Sequence, residues 1–252
     1  MEGILIWIGF AVIWYLIQIA WHAGREKLSS SSRPWESSSD TSLPIDREDP
    51  FLVYRAIFKT FYYISESDGK IDKREEEVLD NFILNLVHNT YPADAYEQEK
   101  QNWYAFLMNL KQEASIQSHR QLGPELNIIY SEFNGEVEGV YKLFIDCITA
   151  DLVLDTKELN CIEIIDSTFE VNDSDQLCGI RDAAIFTLDV DQIELYYIWY
   201  IKILKVSGSY DPKKYLNKQY VKWSSMEQSN IDLERSKSLK LQNIILKLRK
   251  EL

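Results

Sequence analysis

The chain has 252 residues, 46% of them hydrophobic, and a formal net charge of −13. That length and composition suit one sizeable folded core with appendages, and the acidic balance argues against binding a nucleic-acid backbone, which calls for net positive charge. Its cysteines, Cys147, Cys161 and Cys178, are odd in number and form no C-x-x-C pair, so they read as buried free thiols in a reducing compartment.

Residues 3–21 contain no charged side chain. As a helix, nineteen such residues reach ~28 Å, close to the ~30 Å apolar thickness of a bilayer. Trp7, Trp14, Tyr15 and Trp21 supply aromatic anchors, and Gln18 is the one polar interruption. A cleaved signal peptide would carry a positive leading region, whereas the only charge ahead of this run is Glu2, so a retained anchor over residues 1–24 is expected. Arg25, Lys27 and Arg33 follow it, and the positive-inside rule then places the bulk of the chain in the cytoplasm, on a single-pass anchor in the inner membrane. Residues 25–50, with two serine runs and Pro34, Pro44 and Pro50, read as a flexible linker.

From residue 51 the pattern is helical throughout. Val53, Ile57, Phe61 and Ile64 keep one apolar stripe and end at Ser67-Asp68-Gly69-Lys70-Ile71-Asp72, after which a second helix is predicted over 72–88. Tyr91-Pro92 breaks it. A third helix is expected over 94–118, and Gly123-Pro124 is read as the next break. Helices over 125–133 and 136–150 lead to Asp151-Leu152-Val153-Leu154-Asp155-Thr156-Lys157-Glu158, and two more follow over 155–169 and 174–187. The segment 191–206 is nearly apolar. It reads as a buried helix or as a docking surface through Tyr196, Tyr197, Trp199 and Tyr200.

The two acidic stretches share the pattern D-x-x-[IL]-D-x-x-E at an offset of 83 residues, from Asp68 to Asp151. The same offset pairs Ile57 with Val140, Phe61 with Phe144, Leu79 with Ile162, Phe82 with Ile165 and Leu86 with Phe169. One helix–turn–helix unit used twice accounts for this. Asp72 and Asp155 suit helix N-caps, with Glu75 and Glu158 at the third helical position of a capping box. Gly69 suits the left-handed residue that closes the preceding helix. A second use of the same acids is a hard-cation site built from Asp68, Asp72 and Glu75 with Asp151, Asp155 and Glu158, for which calcium or magnesium would be the ion. The spacing does not fit an EF-hand, whose loop needs oxygen ligands where Lys70 and Leu79 stand.

A helix, then S-D-G-x-I-D-x-x-E, then a second helix, with a weaker repeat later, resembles the TerB-like family of tellurite-resistance domains, including the domain of the membrane-anchored co-chaperone DjlA. The resemblance covers residues 51–206, and Leu152 departs from it where the glycine would stand. It implies an all-α bundle with an internal pseudo-repeat and acidic clusters suspected of holding metal, and it implies no enzymatic activity.

The remainder, 207–252, turns basic. From Lys213 onward ten Lys and Arg face four Asp and Glu, a balance of +6, which leaves −19 for the rest of the chain. Tyr215, Leu216, Tyr220 and Trp223 suit one helix, and Leu241, Ile244, Ile245, Leu248 and Leu252 suit another. A hairpin packed on the acidic domain, or a basic patch for anionic lipid or an acidic partner, are both open. Tyr215 to Trp223 also resembles the second helix of a J domain, but Ser224 to Asn230 holds no His-Pro-Asp, so Hsp70 stimulation does not carry over. There is no P-loop, no G-x-S-x-G and no dinucleotide glycine pattern, and His22, His88 and His119 stand apart from one another. The expectation is a tethered, non-enzymatic module that recruits or senses a protein partner in stress response or defence. A divalent-metal sensor and a membrane-disrupting effector are the alternatives.

Overall fold

A computed structural model describes residues 49, 51–67, 69, 71–91, 97–117, 120–207, 211–226 and 232–252. The candidate span 3–21 and all of the linker except Asp49 lie outside the described residues. Among those described, no helix is long and apolar enough to cross a membrane.

The chain is all-helical, with ten α-helices and no strand among the described residues. They are α1 (Leu52–Ser65), α2 (Lys73–Thr90), α3 (Glu97–Ile116), α4 (Leu122–Glu132), α5 (Glu138–Ile148), α6 (Thr156–Thr168), α7 (Asp175–Thr187), α8 (Val190–Ser207), α9 (Pro212–Met226) and α10 (Asp232–Glu251), with a 3-10 turn, Val171–Asp173, before α7. The predicted break at Gly123-Pro124 is corrected: the chain breaks just before it, and both residues lie in the first turn of α4. Proline is tolerated there because the first N–H groups of a helix have no partner to lose.

The fold divides into two compact units. The first comprises residues up to Lys59 together with 82–119. Its core is aromatic. Phe51 lies 4.4 Å from Phe106 between ring centroids, Trp103 stacks on Phe106 at 5.4 Å, and Tyr54 meets Trp103 edge-on at 5.5 Å. Asp49 anchors the entry to α1 by accepting from the Phe51 N–H at 2.9 Å and pairing with Arg55, which also pairs with Glu113. Asp49, assigned to the linker on sequence grounds, is therefore part of the folded body.

The second unit holds residues 60–81 and 120–252. Within it α4 packs on α6, α5 on α7, and α10 on both α8 and α9. Phe61, Leu79, Leu126, Ile129, Phe144, Ile145, Ile148, Ile162 and Ile165 are all fully buried. The basic tail belongs to this unit and is not a separate body. Trp223, 1% exposed, stacks on Phe186 at 4.7 Å and donates to the Tyr197 hydroxyl at 2.8 Å. Gln219 donates to Asp182 at 2.9 Å, and Lys237 donates to the Phe186 and Leu188 carbonyls at the end of α7. The docking-surface alternative for α8 is corrected too. Tyr196, Tyr197 and Tyr200 are 0–3% exposed, α8 packing against α9 and α10 and Tyr200 lying under Arg181 of α7, and only Trp199 of the four is half-buried.

A charged pair sits in this core. Arg181 on α7 and Asp166 on α6 form a salt bridge with both side chains buried. The Tyr141 hydroxyl donates to the second Asp166 oxygen at 2.8 Å, and the Arg181 guanidinium lies 4.7 Å over the Tyr200 ring. Burial pushes the Asp166 carboxyl up, opposed by Arg181 and Tyr141. Burial is the largest influence on Arg181 and would lower it, but Asp166 together with Tyr196, Tyr141 and Tyr200 outweighs burial and holds the guanidinium protonated well above its usual range. Removing one member strands the other charge, so Asp166→Asn should cost about 3–5 kcal/mol in urea unfolding, while Asp166→Leu with Arg181→Met should recover a large part of that loss.

Candidate functional site: the twin acidic turns

The repeat offset governs where helices stop and start. Helix α1 ends at Ser65 and α5 at Ile148, and α2 starts at Lys73 and α6 at Thr156; both intervals are 83 residues. The backbone between them follows suit. The Ser67 N–H donates to the Ile64 carbonyl at 2.9 Å and the Gly69 N–H to the Glu66 carbonyl at 3.0 Å. In the second turn Ala150 donates to Cys147 at 3.1 Å and Leu152 to Thr149 at 3.2 Å, the same bonds shifted by the same offset.

Both turns need a left-handed residue at the same place. Gly69 has φ +99° and nothing near where a Cβ would stand. Leu152, its counterpart, has φ +70°. An L-residue in this region brings its Cβ against the following carbonyl, at a cost of roughly 1–2 kcal/mol. The backbone of the second turn thus keeps the conformation of the first while forgoing the glycine that makes it easy.

The carboxylates act as caps. The Asp155 side chain accepts from the N–H groups of Lys157 at 2.7 Å and Glu158 at 2.8 Å, and Glu158 reaches back to accept from the Asp155 N–H at 2.8 Å. This is a complete capping box. In the first turn Asp72 accepts from the Arg74 N–H at 2.8 Å and Glu75 accepts from the Asp72 N–H at 2.6 Å. Asp151 accepts from the Val153 N–H at 2.8 Å. Asp68 lies outside the described residues. Of the other proposed metal ligands, Asp72, Glu75, Asp151, Asp155 and Glu158 each hold a backbone N–H, and among the described residues no three His, Cys, Asp or Glu side chains gather as an ion would require.

Sequence reasoning read Cys147 as a buried free thiol, which it is, but did not place it beneath a cap. Glu75 and Glu158 are both 6% exposed, and Cys147 lies against Glu75. Its thiol is 3.2 Å from the Ser65 hydroxyl and 3.8 Å from a Glu75 oxygen. Burial pushes the Cys147 thiol well up; the Ser65 contact opposes this, and Glu75 and Glu158 add to it. Cys161 is pushed up to about 12 by burial, with Glu158 and Asp155 contributing. Neither thiol supplies a thiolate nucleophile at neutral pH. The one hint in the sequence was the cysteine's place on the apolar stripe of α5, opposite Ile64 at the repeat offset.

The second turn also carries an apolar tip. Leu152 and Val153 are 43% and 51% exposed. The Leu154 N–H donates to Gln192 Oε1 at 2.9 Å, which fixes the turn beside the start of α8, where Leu195 is 41% exposed. Comparison with protein-family models, curated proteins and solved structures returns no match.

The cap and cation roles part experimentally. Asp155→Asn keeps a capping oxygen and should be nearly neutral, whereas Asp155→Ala should cost about 1 kcal/mol, with neither value changed by millimolar calcium or magnesium. Melts that rise with added ion in the wild type and fail to rise in both variants would establish a cation site instead. At the strained position the usual ranking of Ala over Gly should invert. Both Leu152→Gly and Leu152→Ala lose the same side chain, so their difference isolates the backbone, and Gly should be the more stable by about 1 kcal/mol.

Proposed function

We propose that this chain is a membrane-tethered, non-enzymatic helical module that recruits a protein partner at the cytoplasmic face of the inner membrane, in stress response or defence. The tether is the uncharged segment 3–21 with its following Arg25, Lys27 and Arg33. The setting rests on the resemblance of the first acidic turn to the TerB-like family. The contact point is the tip of the second turn.

One observation carries the recruiting role. Leu152 holds φ +70° while presenting an exposed side chain next to exposed Val153. The first turn solves the same geometric problem with Gly69, at lower cost. A polypeptide that accepts backbone strain and shows two apolar side chains to water does so where those side chains are used. Asp151, Asp155 and Asp191 flank the tip, so the matching surface is apolar at its centre and basic at its edge.

Asparagine tolerates the left-handed region better than leucine does. Leu152→Asn should therefore leave the melting temperature equal or higher while removing the apolar contact. With a photo-crosslinking amino acid at Val153 of the full chain in its own cells, one dominant protein adduct is expected, reduced severalfold by Leu152→Asn. A diffuse set of adducts, or one unaffected by Leu152→Asn, would overturn the assignment of the tip.

A further inference from the structure

Helix α10 buries one face and leaves the other unusually composed. Ser238, Leu241, Gln242, Ile245 and Leu248 turn inward. Leu239, Asn243, Leu246 and Lys250 follow one another outward at steps of four, three and four residues, which is one stripe of a helix. Leu239 and Leu246 are 42% and 38% exposed. Exposed Lys240 and Lys247 border that stripe, and no acidic residue occurs anywhere from Arg235 to Lys250. Lys247 makes only a loose pair with Glu194, at 3.9 Å with the lysine side chain 66% exposed.

Two leucines centred among lysines are what an interfacial helix presents to a lipid surface. The charge distribution selects which surface. The chain before Lys213 carries −19 and is repelled by an anionic leaflet, while the tail carries +6 and is attracted to one. The inward face of α10 is held against α8 and α9, so the outward stripe is presented without any need for the helix to detach.

We propose that the outward face of α10, through Leu239, Leu246, Lys240, Lys247 and Lys250, docks on the anionic membrane leaflet and orients the tethered domain. This deepens the tethered reading given above. Each lysine near an anionic surface contributes roughly fivefold in affinity, which is weak for a free protein. A tether changes that, because it holds the face near the bilayer at an effective concentration of order millimolar. The anchor would supply location, and α10 would supply orientation.

The test uses the full chain with an environment-sensitive fluorescent amino acid at Asn243 and a control at exposed Glu163. Purified chain is added to phosphatidylcholine vesicles with or without phosphatidylglycerol. The expected result is a blue shift at Asn243 with anionic vesicles only, reversed by high salt and absent at Glu163. Combined Lys240→Glu, Lys247→Glu and Lys250→Glu should weaken the interaction at least about a hundredfold with the helical content unchanged. No shift in anionic vesicles, or an equal shift in neutral ones, overturns the proposal. Protection of Asn243 in cells without any response in vesicles would assign the face to an acidic protein and also overturns it. A carbonate wash of cell membranes reads the tether separately: release of the chain refutes residues 3–21 as a span and leaves the vesicle result standing.

Discussion

Two glutamates reach back from inside the core to the amide that precedes their own helix. Glu75 accepts from Asp72 and Glu158 from Asp155, and both side chains are almost fully enclosed. Exposed capping glutamates are common, but enclosed ones couple helix initiation to core packing. If either helix shifted by a residue, an enclosed carboxylate would lose its amide, and losing a hydrogen bond to a buried charge is expensive. The register of α2 and of α6 is therefore set by these bonds, and the apolar stripes that carry Leu79, Ile162 and Ile165 into the core inherit that register.

Beneath the caps the polar chemistry of the second unit is structural in character. Cys147 fills the space between Ser65 and Glu75 as a protonated thiol. The Asp166–Arg181 pair ties α6 to α7 beside a cluster of tyrosines, with Tyr196 stacked on Tyr200 at 5.6 Å and Tyr215 tilted against Tyr200 at 4.8 Å. Among the described residues, Arg181 Nε and the Tyr196 and Tyr215 hydroxyls have no hydrogen-bond partner. Interior polar groups are usually bridged by ordered water, so this is where the core is least like hydrocarbon.

How much of this was legible in the sequence follows the range of each interaction. Caps are local, so Asp155 and Glu158 could be assigned from spacing alone. The helical stripes were equally readable, and the equivalence of Phe61 and Phe144 holds in their common burial. The left-handed Leu152 was hidden because leucine gives no hint of positive φ; only its alignment with Gly69 points to it. Asp166 and Arg181 had a usable signal that went unread: each stands on an otherwise apolar stripe, Ile162-Ile165-Phe169 on one helix and Leu177-Ala184-Ile185 on the other. For the tail, the packed hairpin was one of two open readings, and charge could not choose between them. Its change of charge is a property of its surface, and what ties it to the rest of the unit is Tyr215, Gln219 and Trp223 on the opposite side.

The position of Trp223 bears on how this molecule can have been assembled. A terminal appendage gained by fusion normally keeps its own core and can be lost without harm to its host. Here the indole occupies the shared interior of the second unit, hydrogen-bonded to Tyr197 and laid on Phe186. Helices α9 and α10 have become walls of a shared interior, so the pair evolves under the packing constraints of α7 and α8. Its outward residues lie outside that packing constraint and answer instead to the surface that α10 meets.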